Sequence, residues 1–440
     1  MDRSKKGLFT EDLYDNGSDK SSSVKLGIFN RVKETQIGAD MKYIIILGDG
    51  MADEPIEELG GKTPLEYAKT PSMDLLAKES EVGLCHTIPE GMKPGSDTAN
   101  LSVLGYNPRQ YYTGRSPLEA LSIGVDMKSS DIALRCNLVT VSQDNVPYAE
   151  KTIIDHSSSE ISTEDAAVLL EAVRGELEDC TYKYYLGTSY RHLTIWDKGE
   201  VVELTPPHDI LGKVIGEYLP EDAKLKDMMQ RSYDILNNHP LNIERAKMGL
   251  NKANSIWFWG AGTRPSLTSF EEKFGKKGAM ISAVDLLKGI AVGAGMKVVE
   301  VEGADGTLHT NYNGKAMAGV KELLENNYDF VYIHIEAPDE MGHQGSIPNK
   351  IKAVEYLDEK VIRVVKEQMD LSQVPYRMLI MPDHPTPIHC RTHTSDPVPY
   401  MLYDSGKERK YSYQYNEAEA KKSGNVVKHG YEIINKLFES

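Results

Sequence analysis

The chain has 440 residues, of which 40% are apolar and 26% charged, and its 66 acidic and 50 basic side chains give a net charge of −16. This balance argues against nucleic acid as a partner, because nucleic-acid binding draws on clustered Lys and Arg. An anionic small molecule in a local arginine pocket remains compatible with it, and the length predicts two domains or one large domain with an insertion.

Residues 1–40 are polar, with the segment GSDKSSS in the middle, and predict a disordered extension. They hold no hydrophobic stretch typical of a signal peptide. No apolar run of the chain approaches the roughly 20 residues that span a bilayer. We therefore expect a cytoplasmic protein without a membrane partner. The four cysteines lie far apart in the sequence, which predicts neither a disulfide framework nor a zinc ribbon.

The first predicted strand covers residues 43–47 and breaks at Gly48-Asp49-Gly50. This pattern places Asp49 at the end of a buried strand, where the glycines let another group approach closely. A metal ligand suits such a place, and a plain Asp-Gly turn is the alternative.

A Pro-Gly turn precedes Ser96 and Asp97, and the helical pattern TANLSVLGY follows them. A serine at the start of a helix is usually a cap. The same position surrounds its hydroxyl with amide donors and with the positive end of the helix dipole. Those features favour a phosphorylated serine or the anion that attacks it, so both interpretations stay open at this point.

The character of the sequence changes over residues 107–270, which we interpret as an inserted domain. Strand-like pieces cover 133–141 and 192–196, and helical patterns cover 163–177 and about 222–236. Among its basic side chains, the following are either anion contacts or solvated surface charges: Arg135, Arg174, Arg191, Arg231, Arg245, Arg264, His156, His192 and His208.

An alternation of strands and helices resumes after residue 278 and predicts a sheet layered between helices. The strand predicted at 330–335 runs into EAPDEMGH, where Asp339 and His343 are four residues apart. A turn or a helix start there would direct both side chains at one ion.

The apolar run 378–381 is followed by Asp383, His384 and, from a proline-rich loop, His393. A carboxylate beside imidazoles suits a borderline divalent cation such as Zn²⁺ or Mn²⁺. Each histidine alone could be a surface residue. Because three strand ends would bring ligands to one edge of the sheet, a metal site is the better interpretation.

Six motifs, in this order, resemble the archaeal-type 2,3-bisphosphoglycerate-independent (cofactor-independent) phosphoglycerate mutases of the alkaline phosphatase superfamily. They are IIILGDGMAD, GGKTPLEYAKTPSMD, PGSDTANLSVLGY, YYTGRSPLEA, IHIEAPDEMGHQG and MPDHPTPIHCRTHTSDPVP. The resemblance implies an α/β, alkaline-phosphatase-like sheet sandwiched between helices. Residues 41–106 and 271–440 would form the catalytic domain, and residues 107–270 an inserted α+β cap domain.

The resemblance also implies an activity, the interconversion of 2- and 3-phosphoglycerate through a phosphoserine on Ser96, without 2,3-bisphosphoglycerate. Two divalent ions, for which Mn²⁺, Zn²⁺ and Co²⁺ are all suitable, would be bound. The ligands of one ion would be Asp49, Ser96, Asp383 and His384, and those of the other Asp339, His343 and His393. In the cap, the candidates for binding the substrate are Arg135, Arg191, Arg264 and His156, and Asp155 is a candidate proton shuttle.

One position departs from the family pattern, which usually has two arginines after the residue matching Asp155. Here His156 and Ser157 follow it. A bacterial branch of the family has been proposed to act as a homoserine kinase, and the chain is similar to that branch too. A homoserine kinase-like phosphotransferase is therefore the alternative function. Ester hydrolysis is disfavoured by the large cap, and a non-catalytic metal-binding scaffold by the complete ligand set.

Overall fold

A computed structural model describes residues 40–439. The disordered extension predicted for residues 1–40 therefore lies, apart from Asp40, outside the described part of the chain. Within that part, every helix is too short or too polar to cross a membrane.

The described residues form thirteen strands. In chain order they are β1 (Lys42–Gly48), β2 (Glu81–Cys85), β3 (Ile132–Val141), β4 (Ile153–Asp155), β5 (Tyr182–Tyr185), β6 (Arg191–Trp196), β7 (Ser255–Thr263), β8 (Gly278–Ile281), β9 (Lys297–Val298), β10 (Phe330–Ile335), β11 (Tyr376–Met381), β12 (Val398–Asp404) and β13 (Val426–Val427).

Sixteen α-helices accompany these strands in the described residues. They are α1 (Pro64–Tyr67), α2 (Pro71–Ala77), α3 (Ser96–Val103), α4 (Pro108–Tyr111), α5 (Arg115–Ser122), α6 (Thr163–Leu177), α7 (Ala223–Leu236), α8 (Pro240–Lys247), α9 (Phe270–Phe274), α10 (Asp285–Gly293), α11 (Tyr312–Leu324), α12 (Ala337–His343), α13 (Ile347–Leu357), α14 (Arg363–Ser372), α15 (Glu417–Lys422) and α16 (Ile433–Phe438).

The larger sheet has eight strands in the order β13-β2-β12-β11-β1-β10-β8-β9. Its centre is parallel, because β1 pairs in parallel with both β10 and β11. Side chains of β1 alternate between two cores: Ile44 and Ile46 pack on one face, and Ile45 and Leu47 on the other. A strand buried on both faces is expected to be almost continuously apolar, as β1 is. The predicted α/β sheet layered between helices is confirmed.

The smaller sheet has five strands, β3 to β7, and the pairs within it are antiparallel. It packs with α6 and α7 around a separate core that includes Leu138, Leu169 and Met228. All of its strands lie within the segment predicted to be an inserted α+β domain. The boundaries at residues 107 and 270 stay a prediction.

The helix α5 contacts both units. Leu118 is buried in the core of the larger sheet, and its carbonyl oxygen approaches Gly289 of α10 so closely that a Cβ at Gly289 would lie 1.8 Å from it. The hydroxyl of Ser116 donates to the carbonyl of Gly260 at the end of the smaller sheet. The segment after α3 thus connects the two sheets directly.

Candidate active site

The carboxyl ends of β1, β10 and β11 lie side by side at one edge of the larger sheet. The register pairs Gly48 with Ile335 and Leu47 with Met381. The residues that follow these strands therefore meet, and the three predicted strand-end aspartates, Asp49, Asp339 and Asp383, lie in one group of interacting side chains.

Nε2 of His384 lies among three oxygen atoms. It is 3.1 Å from Oγ of Ser96, 3.4 Å from Oδ2 of Asp383 and 3.5 Å from Oδ1 of Asp49. One ring nitrogen carries at most one proton and cannot donate to all three oxygens. Their convergence is the arrangement of ligands around a cation.

A second convergence involves Asp339, His343 and His393. Nε2 of His343 is 3.0 Å from Nε2 of His393 and 3.2 Å from Oδ2 of Asp339. Nδ1 of His343 lies 2.9 Å from the carbonyl oxygen of Arg391. Because a carbonyl can only accept, Nδ1 carries a proton, and in the neutral ring the lone pair on Nε2 faces the group. Histidines that bind metals are usually held in this way.

The two convergences adjoin each other. The ring centroids of His384 and His393 are 4.0 Å apart, and the candidate ligand atoms of Asp339, His384 and His393 all lie within 4.8 Å of one another. His384 is thus placed to serve either group. The predicted division of the seven ligands between two ions stays a prediction.

The electrostatics of this edge favour bound cations. Burial, together with the carboxylates of Asp383 and Asp339, raises the pKa of Asp49 well above its usual range. Oδ1 of Asp49 is also buried without a hydrogen-bond partner among the described residues. Buried carboxylates are normally paired or bind metal ions, so this donor set fits divalent cations.

Ser96 is the first residue of α3, and the preceding residue, Gly95, occupies the cap position. The serine hydroxyl therefore contacts His384 instead of capping the helix. One turn later, the side-chain amide of Asn100 donates to the carbonyl of Ser96 over 2.8 Å and to Oδ2 of Asp383 over 2.8 Å. Tyr332 donates to the amide oxygen of Asn100. These contacts connect the start of α3 to the metal-binding group.

The loop that delivers His393 is anchored by a buried ion pair. Nζ of Lys350 is 2.7 Å from Oδ2 of Asp53 and donates to the carbonyl oxygens of Thr386 over 2.8 Å and Ala52 over 3.3 Å. The hydroxyl of Thr386 donates to Oδ1 of Asp339. The pair thereby holds the strand end after β1 and the loop after β11 in one arrangement.

Several residues that support the site were not predicted from the sequence: Asn100, Tyr332, His334, Lys350 and Thr386. His334 and Tyr332 belong to the buried run FVYIHI, which was interpreted only as a strand. A histidine in such a run is a usable signal, since a buried polar side chain needs a partner.

A series of cationic and aromatic side chains covers one side of the smaller sheet. The guanidinium of Arg135 lies 4.4 Å from the ring centroid of Trp259. The ring of His208 is 5.3 Å from that of Trp259 and 6.2 Å from that of His156.

The series continues from His156 to Tyr190, whose rings are 5.7 Å apart, and to Arg191, whose guanidinium is 5.1 Å from the ring of Tyr190. Three of the four predicted substrate-binding residues, Arg135, Arg191 and His156, thus belong to one series. Burial lowers the pKa of His208; the carboxylate of Asp209 opposes this shift, and the charges of His156 and Arg135 reinforce it.

Arg115 connects this surface to the serine, and it was not singled out from the sequence. Its Nε is 3.2 Å from Oε1 of Glu119, which also binds Arg135. Partial desolvation opposes the charge of Arg115, whose side chain remains 44% exposed, but Glu119 and Asp97 raise its pKa. Asp97 directly follows Ser96 and accepts a 2.8 Å hydrogen bond from Tyr112. The cationic series therefore extends toward Ser96.

Arg264, the fourth predicted substrate-binding residue, does not join the series. Its guanidinium is 3.9 Å from Oδ1 of Asp126, a residue whose side chain is 94% exposed. Both line a surface cleft with residues of α5 and α10, including Leu121 and Gly293. Arg264 follows β7 in a loop that leads back toward the larger sheet, and this course places it in a different cleft.

Asp155 is held in a way that argues against the predicted proton shuttle. Oδ1 accepts from the backbone N–H and hydroxyl of Ser157, and Oδ2 accepts from the N–H of Ser159 and the amide of Asn251. Burial opposes ionisation, but these hydrogen bonds lower the pKa of Asp155 to about 2. Residues 158–160 all have positive φ, so the carboxylate anchors an unusual loop.

Replacing Asp155 with asparagine should therefore destabilise the protein by about 2 kcal/mol, because an amide nitrogen in place of either oxygen would face at least one backbone N–H donor. Because its pKa is lowered on folding, Asp155 stabilises the fold at pH values above its ordinary pKa of 3.8, and this contribution disappears as the pH falls toward about 2. Denaturant unfolding of wild type and D155N should show a difference in the free energy of unfolding that becomes smaller as the pH falls over that range. A folded D155N protein that lost all turnover would restore the shuttle role.

Comparisons with known proteins identify the family. A family profile described as 2,3-bisphosphoglycerate-independent phosphoglycerate mutase matches residues 77–242. The enzyme of that name from Methanosarcina barkeri is 48% identical, over 88% of this chain and 96% of its own length. A probable enzyme of that name from Geobacter sulfurreducens is 46% identical, over 91% of this chain and 100% of its own length.

Solved structures agree. A protein from Pyrococcus horikoshii superposes with a TM-score of 0.75 at 30% identity, covering 91% of this chain and 97% of its own. The cofactor-independent phosphoglycerate mutase of Thermoplasma acidophilum superposes with a TM-score of 0.61 at 26% sequence identity, covering 91% of this chain and 99% of its own. The chain belongs to the 2,3-bisphosphoglycerate-independent phosphoglycerate mutase family.

Proposed function

We propose that this protein interconverts 2- and 3-phosphoglycerate by passing the phosphoryl group through Ser96. The observation that carries the proposal is the position of the Ser96 hydroxyl, 3.1 Å from Nε2 of His384 at the start of a helix. Family membership supplies the substrate class, a small phosphorylated hydroxy acid.

Two divalent cations belong to this proposal. Their ligands would be the seven residues Asp49, Ser96, Asp339, His343, Asp383, His384 and His393. When bound, the ions would add positive charge beside the serine oxygen and the phosphoryl group, which promotes both deprotonation and transfer. Mn²⁺, Zn²⁺ and Co²⁺ all accept this mixture of carboxylate, imidazole and hydroxyl ligands.

The residues around Ser96 support its role as nucleophile. Its oxygen would bond to phosphorus as the bond from phosphorus to the substrate oxygen breaks, and the reverse step would return the phosphoryl group to the other glycerate hydroxyl. The positive end of the helix dipole at the start of α3 stabilises negative charge there. Asn100 fixes the serine carbonyl relative to Asp383, so alignment is built into the fold.

The cationic series of the smaller sheet would hold the glycerate while the phosphoryl group is on the serine. Guanidinium groups bind carboxylate and phosphate with paired hydrogen bonds. The residues proposed for this task are Arg115, Arg135, Arg191, His156 and His208.

The side chains near Asp155 bear on the alternative, a homoserine kinase-like phosphotransferase. The ammonium group of homoserine needs free acceptors. The hydroxyl of Ser157 is already bonded to Asp155, and Ser158 is fully buried. A cationic surface also repels an ammonium group. These contacts favour phosphoglycerate, even though His156 and Ser157 stand where the family usually has arginines.

The test compares two reactions of one metal-loaded preparation. Conversion of 3-phosphoglycerate to 2-phosphoglycerate is measured as kcat/KM, and phosphate transfer to homoserine is measured under the same conditions. We expect efficient conversion and no transfer. Efficient transfer to homoserine without conversion would reject the proposed function.

Replacing Arg115 with alanine should raise KM for phosphoglycerate at least about 10-fold, since a charged hydrogen bond is worth roughly 1.5 to 3 kcal/mol. Arg264 provides the matched control, because it is a similarly exposed arginine in another cleft. R264A should leave KM within about twofold, as surface changes usually do. Equal effects of the two substitutions would remove Arg115 from the substrate site.

A further inference from the structure

His334 is a buried histidine beside the candidate metal ligands that has no role in the proposal above. It lies near the end of β10 and is fully buried. Its Nε2 is 3.1 Å from Oδ2 of Asp49, and its Nδ1 is 3.1 Å from Oε1 of Glu336 and 3.2 Å from Oγ of Ser282. A carboxylate therefore flanks each ring nitrogen.

The far side of this ring is fixed by a buried network. Oε1 of Glu336 accepts a 2.8 Å hydrogen bond from the N–H of Ala283, and Oε2 pairs with Nζ of Lys315. Lys315 is fully buried and also donates to the carbonyl of His334 over 3.1 Å. These contacts hold Glu336 and the backbone of His334, and they thereby fix the position of the imidazole ring.

The two carboxylate oxygens of Asp49 face different neighbours. Oδ2 faces His334, whereas Oδ1 faces Nε2 of His384. Rotation of the carboxylate would exchange these directions and turn the ligand oxygen away from His384. Holding Oδ2 therefore sets where Oδ1 points.

We propose that His334 is a positioning residue, which holds Oδ2 of Asp49 so that Oδ1 stays directed at the metal-binding group. This inference rests on the proposed function. Direct ligation is the competing role, because candidate ligand atoms of Asp49, His334 and Asp383 lie within 4.8 Å of one another. The 3.1 Å contact between Nε2 of His334 and Oδ2 of Asp49 does not have the geometry of a hydrogen bond.

Two substitutions separate these roles. H334L removes both ring nitrogens, and H334Q keeps one N–H donor for Asp49. Each purified full-length protein is titrated with Co²⁺, with metal content measured after dialysis and the visible spectrum recorded. Wild type should bind two ions. H334L should still bind two, with affinity at one site lowered about 10- to 100-fold, the range for residues that orient a ligand, and H334Q should recover most of it.

The control is H192L in the smaller sheet, which also replaces a buried histidine. It should lower the melting temperature without changing Co²⁺ affinity. Steady-state kinetics with phosphoglycerate provide a second measurement. H334L should lower kcat and leave KM within about twofold, because the substrate contacts are elsewhere.

Loss of one whole ion from both H334L and H334Q would make His334 a ligand and overturn the inference. Unchanged affinity in both would overturn it as well. If H334L does not fold, the test rests on H334Q alone. A positioning role then requires that H334Q binds two ions and has a nearly native Co²⁺ spectrum. A wild-type protein that binds no ions would refute the proposed function itself.

Discussion

Replacing Ser96 with alanine should lower mutase turnover by about 10⁴-fold or more, the scale seen when a catalytic nucleophile is removed. The hydroxyl oxygen is the atom that would bond to phosphorus. Among the described residues no second hydroxyl contacts Nε2 of His384, and the hydroxyl of Thr386 lies at the other ring nitrogen, Nδ1. The fold should persist, because the cap of α3 is Gly95 and the serine hydroxyl is not part of it.

Ser102 provides a matched control on the same helix. Its hydroxyl is buried and lacks a hydrogen-bond partner within the described chain, so S102A removes the same atom from a place where it makes no polar contact. S102A should keep turnover within about twofold and stability within about 1 kcal/mol. Turnover retained by S96A would refute transfer through this residue.

Replacing His343 or His384 with alanine should each lower bound metal by about one ion per chain. The two histidines reach the site from different strand ends, one on α12 and one after β11. The affinity loss should exceed the 10- to 100-fold typical of residues that only orient a ligand. Metal content after dialysis, with turnover measured on the same samples, provides the test.

His389 is the control for these variants. It lies in the same proline-rich loop, but its side chain is 63% exposed and its ion-pair partner is Glu54. H389A should retain two ions and native turnover. Two ions retained by both H343A and H384A would show that the ligands were assigned to the wrong residues.

The sequence was informative about this edge of the sheet because parallel strands leave two strong signals. Buried strands such as KYIIILG are almost continuously apolar, and the polar residues that follow them collect at one edge. Asp49, Asp339 and Asp383 could therefore be brought together without a structure. The motifs added the family, and with it the role of Ser96.

The supporting residues could not be found in this way, because they depend on contacts between distant segments. Asn100 and Asp383 are 283 positions apart. Other pairs of the site are also far apart in the sequence, and no local pattern joins them. The contacts that argue against a proton shuttle at Asp155 escape the sequence for a related reason. Its hydrogen-bond donors include Asn251, and only the folded smaller sheet shows that its carboxylate is already engaged.

The most direct test of the central claim is to trap the phosphoryl group on the enzyme. Metal-loaded protein is mixed with phosphoglycerate during turnover, quenched rapidly in acid, digested and analysed by mass spectrometry. We expect phosphate on Ser96, at a level that falls to background in S96A and stays unchanged in S102A. Full turnover with no phosphate on Ser96, or with phosphate on another residue, would contradict the account.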